Sequence, residues 1–256
     1  MAVTKNGPYR RVPRLQVVVA GTGRDGTMSL ARLIRDLAAA NGCRWVSEHE
    51  RYANHVCNLL ACYHETGLEL HRQALRDLLA RIPAHAVSGT TYQFALDLFL
   101  ETHGPTLRLV HLRRRDRAEC IRSLAQIIHW RPAMAIHMTK EKCRRDLPEY
   151  TLRLAAFHFG ETTRAAWERM SLEQRLGWHY DKTHRLIEDA APRFAGYLRI
   201  DTEDLGRPST IRRLARFLDP TWRRTCPPVH VNSRDEWRRQ VEFHESVRRK
   251  MLAPGE

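Results

Sequence analysis

The residues best placed to do chemistry lie between positions 15 and 30, LQVVVAGTGRDGTMSL, where a β-branched apolar run gives way to a glycine-rich turn and then to a helix opening on Thr27, Met28, Ser29 and Leu30. Gly21, Gly23 and Gly26 let the backbone turn sharply and bring its N–H groups close to an anion, while the following helix aims its positive end at the same place. This pattern predicts a phosphate cradle, against the simpler alternative of a tight strand-to-helix turn. A nucleotide-hydrolysing loop carries G-x-x-x-x-G-K-[ST]. Here Gly26 is followed by Thr27 and Met28, so the lysine and the magnesium-holding hydroxyl are out of place, and Arg24 is the cation inside the loop. A cradle without the ATP and magnesium apparatus points to a carrier whose transferable group is not a phosphoryl.

The loop resembles the 5′-phosphosulfate loop of the sulfotransferases, enzymes that use 3′-phosphoadenosine 5′-phosphosulfate (PAPS) on a P-loop-type α/β fold. The resemblance implies that Gly23, Arg24, Asp25, Gly26, Thr27, Met28 and Ser29 hold the 5′-phosphosulfate, with no metal required. The family has a second signature, a strand ending in an arginine with a serine eight positions later on the next helix, which together grip the 3′-phosphate. In RLVHLRRRDRAECIRSL, Arg115 and Ser123 have that spacing and Asp116 follows the arginine as expected, although Arg117 stands where a proline is frequent. Asp25 also departs from the family, which has a small residue there. A carboxylate in the cradle repels phosphate unless it turns outward or pairs with an arginine.

Relatives activate the acceptor with a histidine after the third strand or a glutamate after the second. After the third strand this chain reads SGTTYQF, with no histidine in place; after the second it reads WVSEHERY. That resembles the glutamate-type enzymes acting on carbohydrates and implies Glu50 as general base, with Glu48 and His49 as alternatives at neighbouring registers. Arg24, in the place of the family's lysine, is implied to meet charge on the departing phosphate oxygen; it remains protonated, so it acts electrostatically rather than as a proton donor.

These residues need an alternating α/β framework to meet. Periodicity predicts strands at 15–20, 43–47, 85–89, 107–112 and 194–200, with helices at 27–41, within 50–82, at 92–103 and at 116–129. The expectation is a single domain over 15–256 behind an N-terminal extension of 1–14, with a mostly parallel sheet flanked by helices and carrying helical insertions. In such a sheet ligands bind at the carboxyl edge, so Arg24, Glu48 to Glu50, Thr90 to Tyr92 and Arg115 should converge. Pro132 predicts a break at 130–142 that reads as a loop or lid, with long helices following between 144 and 191. The Glu203-Asp204-Leu205 turn reads as structural, capping the helix after it, and Asn232, Ser233 and Arg234 begin a last helix or touch the nucleotide.

Composition narrows the class. Lys and Arg number 43 against 29 Asp and Glu, a net +14 that draws in anions such as a multiply phosphorylated donor. Nucleic acid is the rival partner, but the arginines are dispersed, aromatics are 8%, and no zinc-finger or RNP-type pattern occurs, so no stable nucleic-acid partner is expected. Six cysteines are scattered without C-x-x-C pairs, and no run approaches the roughly 20 apolar residues of a membrane span, so a cytoplasmic protein without a membrane span is expected. His179 and His184 lack convergent metal-ligand spacing. The reading is a soluble enzyme transferring sulfuryl from PAPS, leaving PAP, to an acceptor hydroxyl or an amine. The glutamate-type resemblance favours a carbohydrate or glycolipid and leaves aromatic and alkyl alcohols open. A P-loop small-molecule or nucleotide kinase and a noncatalytic anion- or nucleic-acid-binding protein are the alternatives.

Overall fold

The structure, a computed structural model, describes residues 13–134 and 154–228, with the backbone alone over 127–134. The β-branched run after Leu15 becomes β1 (Val17–Ala20), and the chain then alternates α1 (Thr27–Ala40), β2 (Ser47–His49), α2 (Ala53–Thr66), α3 (Glu69–Ala80) and β3 (Ala86–Gly89). A 3-10 turn (Tyr92–Ala95) leads into α4 (Leu96–His103), followed by β4 (Arg108–Arg113) and α5 (Arg117–Met134). Beyond the next described residue, Leu154, come a 3-10 turn (Ala156–Phe159), α6 (Arg164–Arg169), α7 (Leu172–Ala190), β5 (Gly196–Asp201), a 3-10 turn (Thr202–Asp204) and α8 (Pro208–Leu218).

The five strands form one parallel sheet in the order β2-β3-β1-β4-β5. β1 is central, so the loop that follows it opens at the middle of the carboxyl edge, with β3 on one side of it and β4 on the other. Strand alternation sorts the core into two layers. Val17 and Val19 face α1 and α8, whose Leu30, Leu33, Ile34 and Leu37 and whose Ile211, Leu214, Ala215 and Leu218 each recur with helical spacing. Val18 and Ala20 face the other way, onto Val56, Leu60, Leu75, Leu79, Leu96 and Phe99 of α2, α3 and α4. Each large side chain here is wholly or almost wholly buried, worth about 1.5 to 3 kcal/mol in transfer terms. Among the described residues no helix is long and apolar enough to cross a membrane.

Three expectations change. The second strand starts at Ser47 rather than 43, because the Val46 N–H donates to His85 Nδ1 (3.0 Å) instead of to backbone, and Trp45 stacks on His85. Glu48 and His49 therefore lie within β2, and only Glu50 follows it. The fifth helix runs through Pro132 as far as Met134, the last residue described before Leu154, instead of breaking at 130. Of the expected long helices up to 191, α7 is one, 19 residues started by the reciprocal Ser171–Gln174 box, while the described stretch before it holds only a 3-10 turn closed by Gly160 and the short α6, which Thr163 caps. The rest of the expected lid (135–142), the segment 144–153, and Asn232, Ser233 and Arg234 lie outside the described residues.

Candidate functional site

The cradle is shaped by three departures from ordinary backbone. Gly23 and Gly26 have φ of +84° and +86°, and Arg24 between them has +61°. Gly21 has no room for a side chain, since a Cβ there would stand 2.8 Å from both Asp25 Oδ2 and the Leu112 carbonyl oxygen. The loop therefore folds tightly on itself and delivers the chain to Gly26, which precedes α1 without a side-chain cap. A helix directs its first amides out of its end, so α1 opens towards the cradle with the positive end of its dipole.

Asp25 does not turn outward, and among the described residues no ion pair joins it to an arginine, although the Arg114 charge acts on it favourably. Its carboxylate turns inward and is fully buried, accepting from the Thr22 N–H and Thr22 hydroxyl, both at 2.7 Å, with Cys120 Sγ 3.4 Å away. The side chain thus pins the loop from beneath, and what remains for a ligand at this position is backbone. Burial raises its pKa from 3.8 to about 6, against the pull of the Thr22 donors. Between those values the folded protein keeps a proton that the unfolded chain has released, so stability is lost as pH rises through that window and is level above it. The change amounts to about 3 kcal/mol at most. Asp25→Asn should remove this slope: urea midpoints measured from about pH 4 to 7 should converge on those of the native protein at the acid end and diverge at the neutral end. Parallel curves would contradict the assignment.

The second signature lies beside the first. Arg24 Nε donates to Ser123 Oγ at 3.0 Å, joining the loop to α5, whose start is capped by Asp116 Oδ1 accepting from the Glu119 N–H at 2.9 Å. Ser123 thus meets Arg24 rather than Arg115. The Arg115 guanidinium is held by the acidic turn, with Nη2 2.9 Å from Asp204 Oδ1 and Nε 3.5 and 3.6 Å from Glu203 and Asp201. That is where the carboxylates of the turn go. They do not cap α8, whose cap residue is Arg207. Thr202 ties the same turn to the cradle by donating its hydroxyl to the Asp25 carbonyl at 2.6 Å.

Across the mouth, β2 supplies the candidate bases. His49 Nε2 lies 3.0 Å from Thr27 Oγ1, at the first residue of α1, and 4.0 Å from Glu50 Oε1. Glu50 has φ of +54°, and its Oε1 accepts from Thr90 Oγ1 at 3.3 Å. The methyl of Thr90 in turn packs under Gly23, 2.9 Å from where a Cβ would stand. Glu48 faces away from this group and pairs with Arg51 Nε at 3.4 Å. Burial lowers the His49 pKa, with the Glu50 charge opposing, which favours the neutral imidazole. Tyr92, a further residue of the edge, donates its hydroxyl to the Arg51 carbonyl, and burial pushes its pKa up, so it serves as a brace.

Arg24, Glu50, Thr90 and Ser123 therefore share one rim, with Arg115 reached through the acidic turn. Arg24, Glu50 and Tyr52 are the described non-glycine residues with positive φ, a conformation costing about 1 to 3 kcal/mol each that persists where surroundings enforce it. Arg24 and Glu50 lie at this rim, and Tyr52 precedes α2 two residues after Glu50. Sequence reasoning missed Thr22, Cys120 and Thr202, whose roles depend on contacts across the fold. His179 and His184 are packing groups: His179 Nε2 donates to the Thr22 carbonyl at 3.2 Å, and His184 Nδ1 meets His111 Nε2 at 2.7 Å. No protein-family model and no curated protein matches the chain.

Proposed function

We propose that the protein is a PAPS-dependent sulfotransferase acting on an acceptor hydroxyl, without a metal, and placed in the cytosol, where thiols such as Cys43, Cys62, Cys120 and Cys226 stay reduced. The observation that carries this reading is the joining of a glycine-built loop to the β4–α5 arm through Arg24 and Ser123, with the Glu50 carboxylate and the His49 imidazole facing it across the rim. The cradle fits a phosphosulfate: Gly23, Arg24 and Gly26 turn the backbone at positive φ just ahead of the N-terminus of α1, and the acid in the loop is turned away beneath it.

PAPS bound there supplies a sulfuryl group, whose bond to the 5′-phosphate oxygen breaks as the acceptor oxygen bonds to sulfur. Glu50 takes the acceptor proton, with His49 as the neighbouring candidate, and Thr90 fixes the carboxylate that receives it. Arg24 lies where negative charge collects on the departing phosphate oxygen, held in line by Ser123. Arg115 supports the 3′-phosphate, but only by exchanging contacts with Asp204 and Glu203 for contacts with the ligand. The acidic turn is thus an internal competitor for the same guanidinium.

Two substitutions test the 3′-phosphate assignment. Arg115→Ala should weaken PAP by about 30-fold or more while leaving 5′-AMP nearly unchanged. Glu203→Gln removes a competing charge and should tighten PAP selectively. Calorimetric titration of both nucleotides measures the selectivity, and equal losses for PAP and 5′-AMP in Arg115→Ala would contradict the assignment.

A further inference from the structure

The outer face of α1 and the end of β2 enclose an open cleft of about 450 Å³. Met28, Ala31, Arg32 and Arg35 line one wall with helical spacing, and Glu48, His49 and Arg51 line the other. The guanidinium-bearing residues of both walls are exposed. One carboxylate, Glu48, lies among three arginines and pairs with Arg51, and Asp36, just outside the lining, lies 3.8 Å from Arg32 Nε, so the arginines still outnumber the carboxylates beside them, three to two. Its described walls hold no Phe, Tyr or Trp on which a neutral ring would stack. At its floor the buried Ser47 hydroxyl has no hydrogen-bond partner among the described residues.

Position distinguishes this cleft from the donor's site. Ser123 and Arg115 lie on the β4 side of the central strand, whereas the cleft lies towards β2, and Met28 is the donor-loop residue that borders it. His49 belongs to both the cleft and the rim, contacting Thr27 at the start of α1. At 1.5 Å per residue, Arg32 and Arg35 stand roughly 8 to 12 Å along α1 from Thr27.

We propose that the cleft binds an anionic acceptor: a polyhydroxyl compound carrying a carboxylate or sulfate about 8 to 12 Å from the hydroxyl presented at the rim. Guanidinium groups match both anions with paired N–H donors, and arginines on two facing walls can close on such a group from both sides. This inference rests on the sulfuryl-transfer reading for the identity of the reaction, but the anion site itself can be tested independently.

The experiment uses matched disaccharides: a glucuronate-containing one and its glucose counterpart, and an O-sulfated one and its unsulfated counterpart. Binding to the PAP-loaded protein is measured by calorimetry, and PAP release from PAPS is measured for each. An anionic member should bind about tenfold or more tightly than its neutral partner, and the preferred pair distinguishes carboxylate from sulfate. In Arg32→Glu/Arg35→Glu the preference should disappear with PAP affinity unchanged, while Arg35→Lys should retain part of it. Equal binding of charged and neutral members, binding of neither, or a preference that survives the double substitution would overturn the inference. If PAP does not bind the native protein, the donor reading falls while saccharide binding still decides the anion site. If an anionic saccharide binds without PAP release, the anion site stands and the transfer reading falls.

Discussion

Replacing Glu50 by Gln is expected to lower turnover by about 10²- to 10⁴-fold with near-normal PAP binding. The amide keeps the size and the ability to accept from Thr90 but cannot take the acceptor proton. The structure sharpens the comparison among the three neighbouring candidates. Glu50 and His49 face Thr90 and Thr27 at the cradle, while Glu48 pairs with Arg51 on the cleft side. His49→Ala should therefore reduce turnover less than Glu50→Gln, and Glu48→Gln should act mainly on acceptor KM. The readout is kcat by PAP release. A larger loss in His49→Ala than in Glu50→Gln would make the imidazole the base.

Arg24→Ala should reduce turnover by about 10²- to 10³-fold and weaken PAP less, because the contact strengthens as charge develops on the leaving oxygen. Arg24 adopts φ of +61°, so alanine at this position carries backbone strain of its own. Arg24→Gly separates the two causes. Glycine relieves the strain without restoring the charge, so it should be as inactive as alanine; recovery of activity in Arg24→Gly would remove the guanidinium from the mechanism. Ser123→Ala, which deletes only the 3.0 Å contact that aligns Arg24, should give a smaller loss in kcat.

Much of this arrangement was legible in the chain because it depends on local rules. The β-branched run, the glycine spacing and the helix after Gly26 place the cradle, and alternation of apolar periods places the other strands on one parallel sheet. What local rules could not show was the partner of each charge. Asp25 looked like an intruder in the loop, yet Thr22 and Gly21 make room for it underneath. The Glu203-Asp204 turn looked like a helix cap, yet it meets Arg115, 89 residues away from Asp204. The shift of β2 arose from the His85 side chain taking a ladder position, a contact that no strand propensity encodes.

The central claim is that the cradle and Arg115 together select a nucleotide carrying both 5′- and 3′-phosphates. It is tested most directly by thermal unfolding of the native protein with PAP, 5′-AMP, ATP with magnesium, and a DNA or RNA oligonucleotide, at matched ionic strength. The account predicts that PAP raises the unfolding midpoint well above all other additions and that 5′-AMP recovers only a small part of the shift. Stabilisation greatest with ATP and magnesium, or confined to salt-sensitive binding of the oligonucleotide, would contradict it.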